Sequence, residues 1–434
     1  MLNNQNIMRN SINRRAFLKN SSVAIAATAV FPTIRTIGSE IPSETIIVGV
    51  MGLGRGCDHI RALLDIPNVK IAYIADVDSR RFPAAEKIFS AKTNAKMPEK
   101  IKDFRRILDD KYVDALFIAA PNHWHAPAAI LACAAGKNVY VEKPASHNPR
   151  EGELLVVAAR KYKRVVQMGN QRRSWTALIE MVEKLKSGAI GKVITARCYY
   201  VNARASIGFG KVVPVPDSLD YLLWQGPAPE RPYVDNLVHY NWHWRWHWGN
   251  GELGNNGIHA VDVARWGMGV DLPTKITYGG GRYHYKDDWE TPDTGVATFD
   301  FGDKFITWEH SSCHPRRAEK LPFVSFFGTE GTMVNDGNGY KLYDAKGTLV
   351  EQKSGEAGDK VHIQNFLDCI RTGKKPNSDV EECQKSTLMC HLGNIAWRLG
   401  RTINFSPEKR TIINDSEAMK FWSREYRKGW EPVV

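Results

Sequence analysis

The chain has 434 residues, 43% of them hydrophobic and 24% charged, enough to bury the cores of roughly two globular domains. Its formal charge of +12 falls to +7 once Arg9, Arg14, Arg15, Lys19 and Arg35 of an acid-free leader are set aside. The other cations are scattered or sit in the C-terminal tail, so no basic stripe tracks a phosphate backbone and nucleic acid is not expected as a partner.

In residues 1–38, Asn13-Arg14-Arg15-Ala16-Phe17-Leu18-Lys19 precedes the apolar run Ser22–Phe31. This resembles a bacterial twin-arginine export signal, with Asn13 where Ser or Thr is commoner, and a disordered basic N-terminus is the alternative. The run is too short for a comfortable bilayer span, so no stable membrane span is expected in a mature, periplasmic protein. Cysteines 57, 133, 198, 313, 369, 383 and 390 form no C-x-x-C pair, and their odd number cannot close completely into disulfides. Cys383 and Cys390 stand seven apart in a helical stretch, two turns from each other and too distant to bridge. Reduced thiols fit folding in a reducing compartment before export.

From residue 44 to 168, strand-like runs at 45–51, 69–75, 113–120 and 137–141 alternate with helical stretches such as 57–66 and 101–109, and Arg164–Gly169 adds a fifth run. This is the rhythm of a doubly wound parallel sheet of the Rossmann kind. The first strand runs into Gly52-Leu53-Gly54-Arg55-Gly56, where glycines let the backbone approach a pyrophosphate that the next helix's N–H groups then stabilise. Gly52 and Gly54 fill the first two places of G-x-G-x-x-G, and Cys57 holds the third with Gly56 beside it. The second strand ends at Asp76, at the spacing of a carboxylate that accepts from ribose hydroxyls. Asp76 repels a 2′-phosphate while Arg80 and Arg81 tolerate one, so NAD is favoured over NADP.

Two further motifs follow strands of this sheet, Pro121-Asn122-His123-Trp124-His125 and Glu142-Lys143-Pro144. Ligands of such sheets lie beyond the carboxyl ends of the strands. A lysine there, beside a positively charged nicotinamide ring, has a lowered pKa and an ammonium able to steady an alkoxide.

Beyond Gly169 the texture changes. A helix at about 174–187 precedes the run 192–201, and further runs at 276–282, 294–301, 304–311, 322–328 and 331–334 are β-rich and often alternating. They predict an α+β domain over 169–405 with a large, open, mostly antiparallel sheet, followed by a tail over 406–434. Residues 362–400 read as helical, and Asp415–Lys428 as a last helix. The segment 203–258, rich in glycine, proline and aromatics, reads as a functional loop region. Within it, extended chain over Trp242–Trp248 sends four indoles to one face and His243, Arg245 and His247 to the other. Trp244 then offers a sugar-stacking surface, with His243 and Arg245 as hydrogen-bond donors. Read as helix, His239, His243 and His247 align for zinc, and an aromatic interface is the remaining alternative.

Taken together, Gly52-Leu-Gly54, Asp76, Pro121-Asn122-x-x-His125 and Glu142-Lys143-Pro144 resemble the glucose–fructose oxidoreductase/inositol dehydrogenase (Gfo/Idh/MocA) family over nearly everything after the leader. The resemblance implies a Rossmann domain, an open-sheet second domain, a nicotinamide cofactor and hydride exchange with a sugar, polyol or related hydroxyl compound. It also implies cofactor contacts at Gly52, Gly54, Arg55, Asp76, Pro121, Asn122, His125, Glu142 and Lys143. Gln171 and Arg173 fall where the family crosses the cleft, as substrate or nicotinamide neighbours. The family's Asp-x-x-x-His motif matches Asn255 to His259, with an amide in place of the acid. Asn255 can orient a sugar hydroxyl but not exchange a proton, which leaves proton transfer to His259 and Lys143. Asp262 reads as a supporting partner rather than the missing acid.

The resulting expectation is an exported oxidoreductase moving hydride between tightly bound NAD(H) and a secondary alcohol or ketone of a sugar or glycoside, with no metal. A homo-oligomer is implied as well. The alternatives are an NAD-dependent glycosidase working by transient oxidation, and a non-catalytic sugar-binding protein that keeps the fold.

Overall fold

A computed structural model describes residues 45–92 and 95–434; the leader and its twin-arginine motif lie outside them. Six parallel strands form the first sheet: β1 (Ile46–Met51), β2 (Val69–Ala75), β3 (Glu99–Ile101), β4 (Ala115–Ile118), β5 (Asn138–Val141) and β6 (Val166–Met168), in the order β3-β2-β1-β4-β5-β6. β1 and β4 are apolar almost throughout because helices cover both faces of the sheet. The order reverses between β1 and β4, and the crevice at that switch point is where a doubly wound sheet receives its ligand.

Ten strands form the second sheet: β7 (Val193–Val201), β8 (Lys275–Gly281), β9 (Thr294–Asp300), β10 (Phe305–Ser311), β11 (Val324–Gly328), β12 (Gly331–Asp336), β13 (Gly339–Asp344), β14 (Leu349–Ser354), β15 (Ile403–Ser406) and β16 (Thr411–Ile412). Their order is β14-β13-β12-β11-β7-β10-β9-β8-β15-β16, antiparallel except where β7 lies parallel to β10. In β9, Gly295, Ala297 and Phe299 are buried while Val296 is exposed, the alternation of a sheet packed on one face. Helices Ile258–Met268 and Val380–Leu399 pack against the sheet, and the latter also meets helix Pro149–Lys161 of the first half. The N-cap of Val380–Leu399 is Asp379, whose carboxylate accepts from Glu381 N–H, and Gly400 ends it in the left-handed conformation.

The fold class is as expected, but four details differ. Strands β3 and β13 to β16 carry too few apolar residues in alternation to stand out in the sequence; β14 reads LVEQKS and is largely exposed. The last helix is one turn, Ser416–Met419, rather than Asp415–Lys428, because the chain then extends along the first half, where Arg424 and Tyr426 bond Glu151. Helix Asp359–Thr372 lies in the stretch assigned to the second domain, yet its Ile363, Phe366 and Leu367 complete the core around β1 and helix Gly56–Leu64. The Trp242–Trp248 segment is not extended: a 3₁₀ turn over Asn241–Trp244 sends its indoles apart.

Arg173 is one of the expected substrate contacts that the fold uses elsewhere. Its Nε and Nη2 each donate at 2.8 Å to Asp262, whose Oδ1 also accepts from Ser386 at 2.6 Å. Both charges are buried, so Arg173 ties the segment after β6 to helices Ile258–Met268 and Val380–Leu399 instead of meeting a ligand. Removing one partner leaves the other charge buried and unpaired. Arg173→Met is therefore expected to cost about 3–5 kcal/mol of unfolding free energy, read as a lower midpoint in thermal or urea denaturation.

Candidate active site

Each glycine of the first turn has a different physical task. Gly52 sits at φ +86°, and a Cβ there would lie 2.6 Å from the Ala119 carbonyl oxygen, so it sets the turn against β4. A Cβ on Gly54 would meet nothing within 4 Å, which leaves open space beside the backbone where a pyrophosphate approaches. Gly56, not Cys57, provides the close helix–strand packing: its Cβ would fall 3.0 Å from Val50 and 3.6 Å from Ala119. Cys57 instead points its thiol at the Leu53 carbonyl, 3.1 Å away, and all seven cysteines are buried free thiols.

Asp76 at the end of β2 accepts from Leu53 N–H at 2.7 Å and from Asp78 N–H at 2.9 Å. These bonds aim the carboxylate, and each oxygen keeps a further lone pair for a ribose hydroxyl. Burial raises its pKa against the lowering effect of the two N–H bonds. A nucleotide phosphate at Gly54 and ribose at Asp76 thus fit the residues present.

A cleft of roughly 620 Å³ opens beyond the strand ends. It brings together Gly52, Gly54, Arg55, Asp76, Pro121, Asn122, His125, Glu142, Lys143, Gln171, His243, Asn255 and His259, drawn from both halves of the chain. Within it, Glu142 and His125 are struts as well as walls. Glu142 accepts from Arg55 Nε at 3.2 Å and lies 2.9 Å from His59 Nε2. Burial opposes its charge, but the hydrogen bond from His59 and the Arg55 cation outweigh that cost and hold its pKa below the usual range. Arg55 also bonds Asp359, which closes the glycine turn against the start of helix Asp359–Thr372. The buried ring of His125 lies 2.6 Å from the Pro144 oxygen and 2.8 Å from the Ala120 oxygen, linking the loops after β4 and β5.

Lys143 follows β5, and its Nζ donates at 2.8 Å to both the backbone carbonyl and the side-chain oxygen of Asn255. Burial pulls its pKa down to about 8, partly offset by Glu142. Asn255 sits on a π-helical turn, Leu253–Gly257, that leads into helix Ile258–Met268, and this wide turn sets its oxygens toward Lys143. His259 lies one turn on and makes no side-chain hydrogen bond among the described residues. Burial first, and the Lys143 charge second, push its pKa well below 6.5. At neutral pH His259 is therefore uncharged while Lys143 is mostly protonated.

Two more of the expected substrate contacts lie outside the cleft. Trp244 is buried face to face on Trp289, centroids 4.0 Å apart, and Arg245 donates to Asn236 and Asp288 at 2.7 and 2.8 Å. The 3₁₀ turn places Tyr240, Trp242 and His243 in the cleft instead, with Trp242 stacked on His243 at 3.6 Å. His243 Nδ1 lies 2.6 Å from the Tyr240 oxygen, and burial lowers its pKa to about 3, so it is a neutral ring. The three histidines read as a possible zinc set face different partners, Asp78 for His239, Tyr240 for His243 and Pro229 for His247. Among the described residues no group of three or more His, Cys, Asp or Glu is placed to hold a metal. Arg81, Lys102, Trp224 and His239 also line the cleft. Lys102 and Trp224 carry no motif, and the cleft position of His239 is likewise not marked in the sequence, since tertiary folding alone brings 224 and 239 to the ends of β4 and β2.

Outside the cleft lining, a charge pair that no motif announces acts on Lys143. Arg204 donates to buried Glu252 at 2.9 Å and to the Tyr240 hydroxyl at 2.8 Å, and Asn256 bonds the same carboxylate. The charge of Glu252 raises the Lys143 pKa and that of Arg204 lowers it, both behind the effects of burial, Glu142 and Arg55.

Comparison with known proteins agrees with this geometry. The model of an oxidoreductase family's NAD-binding Rossmann fold matches residues 44–170, and that of the same family's C-terminal alpha/beta domain matches 205–432. A glycosyl hydrolase family 109 protein of Parabacteroides distasonis is 26% identical over 382 residues, covering 76% of this chain and 78% of that protein. An inositol 2-dehydrogenase of Saccharopolyspora erythraea is 32% identical over 180 residues, 39% of this chain and 50% of that protein. The solved WlbA dehydrogenase of Bordetella pertussis, in complex with NADH and UDP-GlcNAcA, shares the fold at a TM-score of 0.63 and 19% identity, covering 83% of this chain and 99% of that one. With a glycine cradle, a carboxylate at the end of β2 and a half-buried lysine lining one cleft, and with both halves matched, the chain belongs to the Gfo/Idh/MocA family of NAD-binding oxidoreductases.

Proposed function

We propose that the protein oxidises or reduces a secondary alcohol or ketone of a sugar or glycoside in the periplasm, using an NAD that stays bound through the cycle. The observation that carries this reading is the Lys143 ammonium, held by two oxygens of Asn255 in the same cleft as the glycine cradle and His259. When bound, NAD supplies the hydride acceptor or donor. Gly52, Gly54 and the helix N-terminus hold its pyrophosphate, and Asp76 its ribose. Neutral His259 takes the hydroxyl proton, while Lys143 remains charged and steadies the oxygen from which that proton leaves. Trp242, His243 and Tyr240 supply the aromatic and polar surface of a sugar site. Export rests on the resemblance of Asn13–Lys19 to a twin-arginine signal, and a homo-oligomer is proposed from the family. A periplasm supplies no free nicotinamide cofactor, so a second carbonyl compound would reoxidise the reduced form in place.

A glycosidase working by transient oxidation is the second reading, favoured by the glycosyl hydrolase family 109 relative that matches 76% of this chain. Mixing the purified holoprotein with a panel of free sugars and aryl glycosides separates the two. Net oxidation accumulates absorbance at the reduced-nicotinamide band; the glycosidase releases aglycone without it. A protein whose bound NAD responds to no sugar and which releases no aglycone is a binding protein, and the catalytic reading then fails.

The glycine geometry makes a paired prediction. Gly54→Ala should melt with the wild type yet bind NAD at least ~10-fold more weakly, equivalent to about 1.4 kcal/mol. Gly52→Ala should lower stability itself, since a left-handed backbone costs an L-residue roughly 1–2 kcal/mol before the Ala119 clash is counted.

Lys143→Met should cut kcat by roughly 10²–10³-fold while NAD still titrates to saturation. Because the ammonium form is the active one, kcat/KM for alcohol oxidation should fall as pH rises through about 8. A rise through that value would reassign the base to the Lys143 amine. Asn255→Asp puts a negative charge against the ammonium and should move this limb to higher pH.

A further inference from the structure

A second cavity, of roughly 400 Å³, lies behind the loop that carries Lys143. Its walls come from residues 147–149, 229–231, 246–250, the last two turns of helix Val380–Leu399, and 421–425. Three guanidiniums line it, Arg231, Arg398 and Arg424, against the single carboxylate of Glu425. The buried Glu151 is not in the wall and is already taken up by Arg424 and Tyr426. The three histidines of the wall are neutral: burial, abetted by neighbouring cations, holds His147 well below 6.5 and His247 at about 4, and burial alone holds His391 at about 3. Arg424 is thus paired with Glu151, and Arg231 and Arg398, both exposed at the rim, stand against Glu425, which leaves one positive charge in excess.

Its polar inventory is also incomplete. Among the buried atoms without a hydrogen-bond partner are Arg424 Nη1, His147 Nδ1 and Asn250 Oδ1, all on side chains of this wall. His147 Nε2 faces the Trp246 carbonyl at 3.1 Å and so carries the ring proton, which makes Nδ1 a bare acceptor. Asn250 Nδ2 donates to the His147 carbonyl at 2.9 Å, which makes its free oxygen an acceptor too. One unpaired donor and two unpaired acceptors call for a ligand with both an oxyanion and hydroxyl groups. Trp246 adds a half-buried indole, with the Arg398 guanidinium 5.1 Å and the Trp397 ring 5.8 Å from its centroid. An indole beside guanidiniums is a platform for a pyranose with a carboxylate.

We propose that this cavity is a second ligand site, distinct from the cleft with Lys143, for a hydroxylated carboxylate of sugar-acid type. Arg231 and Arg398 receive the carboxylate, and the hydroxyls donate to His147 and Asn250. The inference does not rest on the catalytic reading above. The wall nevertheless shares its backbone with the active site, since Asn250 O accepts from Gly254 N, one residue before Asn255.

The test uses the full chain saturated with NAD, so that the pyrophosphate cradle is filled, and calorimetric titration with glucuronate, glucose and inorganic phosphate. Glucuronate is expected to bind saturably and at least 10-fold more tightly than either glucose or phosphate. R231Q/R398Q is expected to lose at least 10-fold in glucuronate affinity with NAD binding unchanged, and R231K/R398K to keep most of it. Glucuronate binding of equal strength in R231Q/R398Q would place that ligand in the catalytic cleft and overturn the proposal. So would a preference for glucose or phosphate, or the absence of saturable glucuronate binding to the wild type.

Discussion

A half-buried ammonium held by uncharged oxygens is the constraint around which this molecule is organised. Lys143 comes from the end of β5 and Asn255 from a turn of the second half, and their two 2.8 Å bonds cross between the sheets. A charge taken from water must be paired or hydrogen-bonded, or it neutralises. Here the direct partners are an amide and a backbone carbonyl, and the nearest carboxylate, Glu142, is already engaged by Arg55 and His59. The amine therefore lies at about 8, mostly charged at neutral pH yet within reach of titration just above it. With Asp in place of Asn255, an ion pair would hold the lysine charged over a wider range and bind it more firmly. The amide trades that firmness for responsiveness.

Around this centre, much of the cleft is built by charge pairs that never meet a ligand. Glu142 is pinned by His59 and Arg55, Arg55 by Asp359, and Asp262 by Arg173 and Ser386. These contacts join segments far apart in the chain, and each fixes a loop carrying a residue of the cleft. The C-terminal residues take part most visibly. Helix Asp359–Thr372 fills the core beside β1, and the tail over 421–430 lies along the first half through Arg424, Tyr426 and Trp430. A nucleotide-binding half cut at residue 168 would expose the apolar faces that Ile363, Phe366 and Leu367 cover.

Residues whose task is set by backbone geometry were legible before the fold was known. A positive φ at residue 52 and a close helix–strand approach at residue 56 demand glycine wherever they occur, so the glycines mark the turn by themselves. The carboxylate at 76 and the lysine at 143 stand at strand ends, where a parallel sheet delivers its functional groups. The aromatic segment misled for a physical reason. Period-two alternation over 242–248 fits extended chain, yet backbone hydrogen bonds from His243 N to Tyr240 and from Arg245 N to Trp242 curl it into a 3₁₀ turn. The side chains then diverge: Trp242 goes to the cleft, Trp244 onto Trp289 and Trp246 to the second cavity.

Arg173 shows the same divide. An arginine beside a cleft is equally suited to a substrate carboxylate and to a buried aspartate, and only the position of Asp262, 2.8 Å away, decides between them. Sequence by itself determined the parallel sheet, the nucleotide turn and the lysine, because local periodicity and glycine sterics act within a few residues of the chain. Tertiary structure alone decided which polar residues face the cleft, how far burial lowers Lys143 and His259, and that a second cationic cavity exists. Those properties depend on dielectric surroundings and on partners a hundred or more residues away, which no local pattern encodes.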